Sequence, residues 1–456
     1  MIFLALILGL VLRLISLNQS LWLDEATSGL VARNYSFIEI VTKFAPGDFH
    51  PPFYYLILKG WSIFFGTSEI GLRSLSLLAG LGTIYFVYLL GKVFKIEKPY
   101  ITSFLLATSG LSVYYSQEAR MYSLASFFVT ATLYFFVKIV KSEAGRIGEW
   151  VIFGLLLTAS ILTHYLTVFM VPVYWLYAKV GGKGQIWWKR FVTSHIILAF
   201  FAVLWSPIFL KQFFGGLSVD STSPAWWNIL GKTSIKEFIL VPTKFLLGRV
   251  SFENNLVYAL ILIAVFTIFG YLFFKATKKL DKRHILWGFL ILPLIFVAVV
   301  GVKLPVFSYF RLLFILPAVY LITAIGISQT KNKAFWTILV LSINLASSFY
   351  YLFTPRFHRE NWRDLVDKVE REKETRKSIT LFVADSQMEA YRYYAANAVV
   401  SGPSGLNNGY EQIWLMRYVQ PIFDSEDKLK EDVENLGYMK EEEFDFNGVV
   451  VWKYTK

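Results

Sequence analysis

Long apolar segments recur through the first 353 of the 456 residues and constrain this chain more than any other feature of its sequence. Each runs for roughly 14–20 residues with few charges, close to the length that a helix needs to cross a bilayer. Composition agrees, since 55% of the residues are hydrophobic and only 17% are charged, against about 25% in typical soluble domains. The sequence therefore predicts a mainly α, polytopic bundle of transmembrane helices.

About eleven spans are expected in residues 1–353, which we take as one transmembrane domain. The predicted spans are 2–17, 73–91, 99–115, 121–138, 150–163, 165–179, 191–210, 255–274, 285–302, 312–327 and 335–353. The outer loop 18–72 is long, aromatic and poor in charge, so it is expected to lie on the membrane surface, with a helix from Tyr54 to Phe65. The loop 211–254 is expected to form a mobile or partly ordered flap.

Residues 354–456 have the composition of a soluble protein and predict a small C-terminal α/β domain. Trp362, Leu365, Val366 and Val369 recur at helical spacing. Strands are expected over 378–385 and 448–454, and helices over 386–397 and from the 424/425 cap to residue 436. About 100 residues are enough for a modest core.

The basic residues follow membrane topology. If the amino terminus is cytoplasmic, the inner loops hold 17 Lys and Arg residues and the short outer loops hold three. This contrast predicts a multi-pass protein of the cell membrane with its C-terminal domain outside the cytoplasm. A nucleic-acid footprint would instead cluster on one soluble face, so no nucleic acid is expected as a partner. The chain contains no cysteine, which excludes disulfides and thiol catalysis.

Two adjacent acids, Asp24 and Glu25, lie just outside the first predicted span. A carboxylate at bilayer depth costs about 2.5–3.5 kcal/mol on insertion scales, so such groups indicate function by default. They are either a hydrated helix end or a general base that accepts the proton of an attacking hydroxyl or amine.

Further polar residues fall in other outer loops. Asp48 and His50 form either an ordinary turn or a site for a phosphate or a divalent cation. Glu118 and Arg120 either pair with each other or face an acceptor and a phosphate, respectively. Arg311 either reaches the interface as a snorkelling side chain or binds a lipid phosphate. His164, between two short spans, is expected to be structural.

Together these residues resemble the GT-C glycosyltransferases of the protein mannosyltransferase and aminoarabinose transferase type, a glycosyltransferase family 39-like pattern. The segments that carry the resemblance are Leu21-Trp22-Leu23-Asp24-Glu25, His50-Pro51-Pro52-Phe53-Tyr54-Tyr55, Gly66 with Leu72-Arg73, Tyr115 to Tyr122, Tyr309-Phe310-Arg311 with Leu316-Pro317, and Asn361-Trp362-Arg363-Asp364. Each motif alone is weak, but their order and their loop positions make the set specific.

The resemblance implies an enzyme that transfers a hexose or pentose from a polyprenyl-phosphate donor to an envelope acceptor: a protein, glycolipid or polysaccharide. It implies Asp24 as the catalytic base and Glu118 as a second catalytic acid. Substrate-binding roles fall on Glu25, His50, Arg120, Tyr122 and Arg311, and a divalent metal ion, if used, falls on Asp48 and His50. One base suffices for an inverting displacement, whereas a retaining path would want a second carboxylate as nucleophile.

The alternative is a transporter or flippase of lipid-linked sugars. Transporters place ionisable residues near the bilayer midplane, often in two related halves. The predicted spans here are almost free of acids and show no half-to-half repeat. The sequence therefore favours the enzyme.

Overall fold

Helices make up most of the first 353 residues. The computed structural model describes residues 1–180, 183–222, 227, 231–281, 284–373 and 377–456. The helices of the membrane part are α1 (Ile2–Leu14), α2 (Leu23–Asn34), α3 (Phe53–Phe65), α4 (Glu69–Val93), α5 (Tyr100–Ala107), α6 (Gly110–Ser116), α7 (Met121–Val140), α8 (Ile147–Thr163), α9 (Met170–Val180), α10 (Gln185–Thr193), α11 (Ile196–Thr222), α12 (Ile235–Leu247), α13 (Asn255–Ala276), α14 (Ile285–Val300), α15 (Leu316–Ser328) and α16 (Lys333–Phe353).

Five helical stretches in the described residues are long and apolar enough to cross a membrane. They are Glu69–Val93, Met121–Val140, Gln185–Val219, Asn255–Ala276 and Lys333–Phe353, and shorter apolar helices accompany them. Many of their large apolar side chains are exposed, as a lipid-facing surface requires. The polytopic helical bundle is therefore confirmed, while the number of eleven spans stays a prediction.

The predicted span 99–115 is divided into α5 and α6 at Thr108 and Ser109. The Ser109 hydroxyl accepts a hydrogen bond from the backbone N–H of Ser112 and so caps α6. Serine at this position favours a new helix start over continuation of the old helix.

The first outer loop lies against the bundle. Its helix α3 runs from Phe53 to Phe65, within one residue of the prediction, and ends at Gly66, whose φ of 73° favours glycine. α3 buries Tyr54 and Tyr55 and exposes Phe64, so it presents one apolar face outward. Short helical turns over Phe37–Glu39, Ile40–Phe44 and Ala45–Gly47 join α2 to this helix.

The region expected to be a flap is largely helical. α11 continues past residue 210 to Thr222, and α12 covers Ile235–Leu247. Gln212 is buried and bonded to the first outer loop, which helps to hold this part of α11 in place. The Pro224–Trp226 segment of the expected flap lies outside the described residues.

The C-terminal segment folds around one mixed sheet. Its elements are α17 (Trp362–Lys373), β1 (Ser378–Leu381), α18 (Glu389–Tyr394), β2 (Val400–Ser401), β3 (Gln412–Met416), a one-turn helix Gln420–Phe423, α19 (Lys428–Asn435), β4 (Met439–Phe446) and β5 (Val449–Thr455). The strand order is β2-β1-β3-β5-β4. β2, β1 and β3 are parallel, and β5 joins β3 and β4 antiparallel. The α/β class of this small domain is confirmed.

Sequence patterns predicted some of the helices and strands of this C-terminal domain. Trp362, Leu365, Val366 and Val369 form the buried face of α17, as their spacing predicts. The expected strand 378–385 and helix 386–397 are both shorter in the structure, and the strands β2, β3 and β4 were not predicted. β4 is acidic and mostly exposed, and only Phe444 and Phe446 at its end alternate as a half-buried strand does, which is too short a pattern to identify it.

Candidate active site

The two acids at the start of α2 take opposite positions. The Asp24 side chain is 41% exposed, whereas that of Glu25 is 0% exposed. Successive side chains on a helix point about 100° apart, so adjacent residues face different surroundings. Only Asp24 of this pair is accessible to a ligand.

Glu25 is the centre of a buried ion cluster. Arg73 donates to both of its oxygens, from Nε to Oε1 at 2.8 Å and from Nη2 to Oε2 at 2.6 Å. The backbone N–H of Ala119 donates to Oε1 at 2.7 Å, and Nε of Arg359 lies 3.1 Å from Oε2. The sequence placed Glu25 among the substrate-binding residues; the structure instead engages both of its oxygens with the protein, because the helix turns it inward.

A chain of polar contacts connects Asp24 to the turn before α3. Nη2 of Arg120 lies 3.4 Å from Oδ2 of Asp24, and Nη1 of Arg120 is 3.4 Å from the Tyr55 hydroxyl oxygen. The Tyr55 hydroxyl donates to Oδ2 of Asp48 at 2.8 Å, and Nδ1 of His50 lies 3.3 Å from Oδ1 of Asp48. The structure thus brings four predicted site residues, from three separate parts of the chain, into one network.

Asp48 is held in its ionised form. Burial opposes its charge, but the charge and ring hydrogen bond of His50 outweigh that effect, with further help from Arg120 and the Phe49 N–H. Together these interactions lower the pKa of Asp48 to about 2.

The donor atoms around Asp48 and His50 do not by themselves fit a metal centre. Both Asp48 oxygens already accept hydrogen bonds, from Phe49 and Tyr55, and Oδ1 also faces His50. Among the described residues, no three His, Asp or Glu side chains converge as a metal site would require. A cation here would need most of its ligands from a bound phosphate and water.

Glu118 lies behind Asp24 rather than beside it. Its side chain is 2% exposed, and Oε2 is 3.4 Å from Nη2 of Arg359. Burial raises the pKa of Glu118, and the nearby Glu25 adds to the shift, while Arg359, Arg249 and Arg120 oppose it. The Glu118 carboxyl is therefore buried beside arginine and is not open to a ligand.

Aromatic and basic side chains form the wall on the other side of Arg120. The buried Tyr122 ring has its centroid 5.3 Å from Phe310 and 5.9 Å from His164. The His164 ring is 6.3 Å from that of His50. Arg311 donates to the carbonyl of Pro305 and places its guanidinium 5.2 Å from the Phe310 ring centroid. His50, Tyr122 and Arg311 are thus brought into one region, which also contains His164.

Two residues of this region were not singled out from the sequence. Gln212 of α11 donates to the carbonyls of Ala45 and His50 at 2.6 and 3.2 Å, and so fixes the turn that carries His50. Arg359 contacts both buried glutamates. Neither residue has a local spacing signal, because His50 lies 162 residues from Gln212 and Glu118 lies 241 residues from Arg359.

Known protein sequences are similar to parts of this chain. Residues 49–210 match the family model described as dolichyl-phosphate-mannose-protein mannosyltransferase. An uncharacterized protein of Aquifex aeolicus (strain VF5) is 27% identical over 365 residues, which cover 74% of this chain. The match spans 66% of the length of that relative.

Solved structures extend the likeness over nearly the whole chain. The structure of ArnT from Cupriavidus metallidurans bound to undecaprenyl phosphate matches 99% of this chain and 97% of its own, with a TM-score of 0.58 and 12% identity. The chain has the GT-C fold. The Archaeoglobus fulgidus oligosaccharyltransferase matches 96% of this chain and 69% of its own, with a TM-score of 0.54 and 12% identity.

A third solved structure is also similar to this chain. The arabinofuranosyltransferase AftD from Mycobacteria matches 100% of this chain and 41% of its own, with a TM-score of 0.51 and 14% identity. The resemblance to the GT-C glycosyltransferases is therefore confirmed, and the chain is a multi-pass membrane protein with this fold.

Proposed function

We propose that the chain is a membrane glycosyltransferase that moves a sugar from a polyprenyl-phosphate donor to an envelope acceptor, with inversion and with Asp24 as general base. The observation that carries the proposal is the contrast at the start of α2. Asp24 is accessible and lies beside Arg120, while Glu25 and Glu118 are buried and paired with arginines.

Asp24 has the properties that a base at this position needs. It is a carboxylate with one close cationic neighbour, so an acceptor hydroxyl or amine can approach it and lose its proton as it attacks the sugar carbon. A retaining path would want a second carboxyl about 5–5.5 Å away as nucleophile, and Glu25 is turned away from the surface. The geometry of α2 therefore supports a single-base, inverting displacement.

The basic and aromatic wall suits the phosphate of the donor. Arg120 and Arg311 carry guanidinium groups that bind phosphate oxygens well, and His50 and Tyr122 add hydrogen-bond donors. The ArnT structure named above is bound to undecaprenyl phosphate, and an Archaeoglobus fulgidus oligosaccharyltransferase was solved with dolichol-phosphate. These relatives support a lipid-phosphate donor here, whose sugar is a hexose or a pentose.

Glu118 supports the reaction indirectly in this proposal. It is buried and contacts Arg359, rather than contacting substrate. We propose no step through a metal ion, because the protein donors at Asp48 and His50 are already committed to each other and to Tyr55.

The reaction is proposed to occur at the outer face of the cell membrane. The excess of Lys and Arg in the alternate loops supports a cytoplasmic amino terminus. The donor site and the C-terminal domain then lie outside, where the acceptor is a protein, glycolipid or polysaccharide of the envelope.

The test is transfer by purified full-length protein from a panel of radiolabelled polyprenyl-phosphate sugars to an envelope extract. We expect label transfer by the wild type and a loss of at least about 10²-fold in Asp24→Asn, as is typical for removal of a general base. A parallel assay with EDTA tests whether the transfer requires a divalent metal ion. Transfer at the wild-type rate by folded Asp24→Asn would remove the base assignment. Donor flipping in liposomes without any transfer would indicate a flippase instead.

A further inference from the structure

The C-terminal domain is docked directly onto the helix that carries Asp24. The Tyr394 hydroxyl accepts a hydrogen bond from the backbone N–H of Leu21 at 2.7 Å, just before α2. The Tyr393 ring packs against Gly29 of α2, where an added Cβ would lie 2.8 Å from the ring. The placement of α2 therefore depends on the soluble domain as well as on the bundle.

Arg359 lies in the connection between α16 and α17 and is held on both sides. Its backbone N–H donates to Oε1 of Gln19 at 3.0 Å, in the segment that precedes α2. Its carbonyl accepts from Nδ2 of Asn447 at 2.9 Å, in the turn between β4 and β5. Through its backbone alone, this residue joins the membrane part to the sheet of the soluble domain.

The Arg359 side chain enters the ion cluster behind Asp24. Nε lies 3.1 Å from Oε2 of Glu25, and Nη2 lies 3.4 Å from Oε2 of Glu118. The guanidinium carbon is 4.6 Å from the centroid of the Tyr114 ring, and the side chain is 2% exposed. Arg359 thus lies outside the helical bundle in the chain but contacts acids of two of its outer segments, Glu25 and Glu118.

We propose that Arg359 is a positioning residue, through which the docked C-terminal domain sets the orientation of Asp24 by holding Glu25 and Glu118. Arg73 binds one side of Glu25 from within the bundle, and Arg359 completes the other side from the connection to the soluble domain. Because Glu25 is adjacent to Asp24, a carboxylate clamped from two sides fixes the rotation of the first turn of α2. The inference rests on the proposed role of Asp24 and makes the soluble domain part of the catalytic unit.

The contacts of Arg359 fit an orienting role better than a stabilising one. Its Nε and Nη1 are both buried without a hydrogen-bond partner among the described residues, so the contact of Nε with Glu25 at 3.1 Å is an ion pair rather than a hydrogen bond. Buried ion pairs often contribute little net stability compared with apolar replacements of similar size, since desolvation offsets the attraction. A group retained at such a cost is better explained by the geometry that it imposes.

The experiment compares Arg359→Gln and Arg359→Lys with Arg363→Gln in the full-length protein. Arg363 is a matched control: it also connects the two parts, with Nη1 3.2 Å from Oε1 of Glu69, but its side chain is 44% exposed and it does not touch Glu25. We would measure kcat, KM for the donor, and the unfolding temperature in detergent.

For Arg359→Gln we expect kcat to fall at least about 30-fold while KM for the donor changes less than about threefold. Arg359→Lys should recover part of kcat, because an ammonium group can still pair with one glutamate. Arg363→Gln should keep kcat within about twofold of the wild type. If Arg359→Gln does not fold, the Lys variant alone decides, and a reduced kcat at an unchanged unfolding temperature is expected.

An unchanged kcat in folded Arg359→Gln, or a loss that is entirely in donor KM, would overturn the inference. So would equal losses in the Arg359 and Arg363 variants. Failure of the proposed function is visible separately, as full transfer by Asp24→Asn or as no transfer by the wild type.

Discussion

Replacement of Glu25 by Gln tests the buried ion cluster most directly. The substitution keeps the shape of the side chain but removes its charge and puts an amide NH₂ in place of one carboxylate oxygen. Oε1 can still accept from Arg73 and Ala119, whereas the group at the Oε2 position meets two donors, Nη2 of Arg73 at 2.6 Å and Nε of Arg359 at 3.1 Å. Three donor groups then crowd together in a site that is closed to water.

The magnitude follows from the burial of the cluster. Removal of one partner from a buried ion pair typically costs about 3–5 kcal/mol, because the remaining charge is buried without compensation. Here two buried arginines lose that partner, and Glu118, at the longer distance, is the acid that Arg359 keeps. We therefore expect the free energy of unfolding of Glu25→Gln to fall by about 3–5 kcal/mol.

The assay is equilibrium unfolding in mixed detergent–SDS micelles, with Glu253→Gln as the matched control. Glu253 also pairs with an arginine, Arg356 at 2.5 Å, but its side chain is 89% exposed. An exposed pair of this kind contributes about 0–1 kcal/mol, so the control should unfold nearly as the wild type does. Equal stability of the two variants would refute the reasoning that Glu25 compensates the charge of two buried arginines.

Two further predictions concern the turn at Asp48 and the packing of the bundle. Because the pKa of Asp48 is lowered to about 2 in the folded protein, its ionised form stabilises the fold above the unfolded pKa of about 4, and this contribution is lost as pH falls toward 2. The difference in stability between wild type and Asp48→Asn should therefore shrink as pH falls from about 4 to about 2 in an unfolding titration. Gly326→Ala should lower stability by about 1–3 kcal/mol, since the new Cβ would lie 2.0 Å from the carbonyl oxygen of Leu272, whereas Gly270→Ala, which meets nothing within 4 Å, should unfold as the wild type does. Equal unfolding of the two alanine variants would contradict the close contact of α13 and α15.

Part of the candidate site was predictable because it depends on local order in the chain. Asp24, Asp48, His50 and Glu118 could be selected as polar residues in loops between apolar spans. Their convergence could not, since Tyr55 bridges Arg120 and Asp48 only after α3 packs against α2, α4 and α8. The exposure of Asp24 and the burial of Glu25 depend on the rotation of α2, which no spacing in the sequence specifies.

The remaining site residues depend on contacts between distant segments. Arg359 meets Glu118 across 241 positions of the chain, and Gln212 meets His50 across 162. Arg13 of α1 is fully buried and donates to the carbonyls of Gly9 and Ala107. The helices α5 and α6 cover its end of α1, so it cannot reach the interface.

The sequence by itself determined the membrane character, the helical bundle, the small C-terminal α/β domain and the loops in which the candidate site residues lie. These features follow from the length of apolar runs, from periodicity and from the distribution of charge, all of which are local properties. Only the tertiary structure decided which acid faces the surface, which arginines hold the others, and that the soluble domain rests on the helix that carries Asp24. These depend on helix rotation and on long-range pairing of charges in the buried interior, because adjacent side chains on one helix face different surroundings.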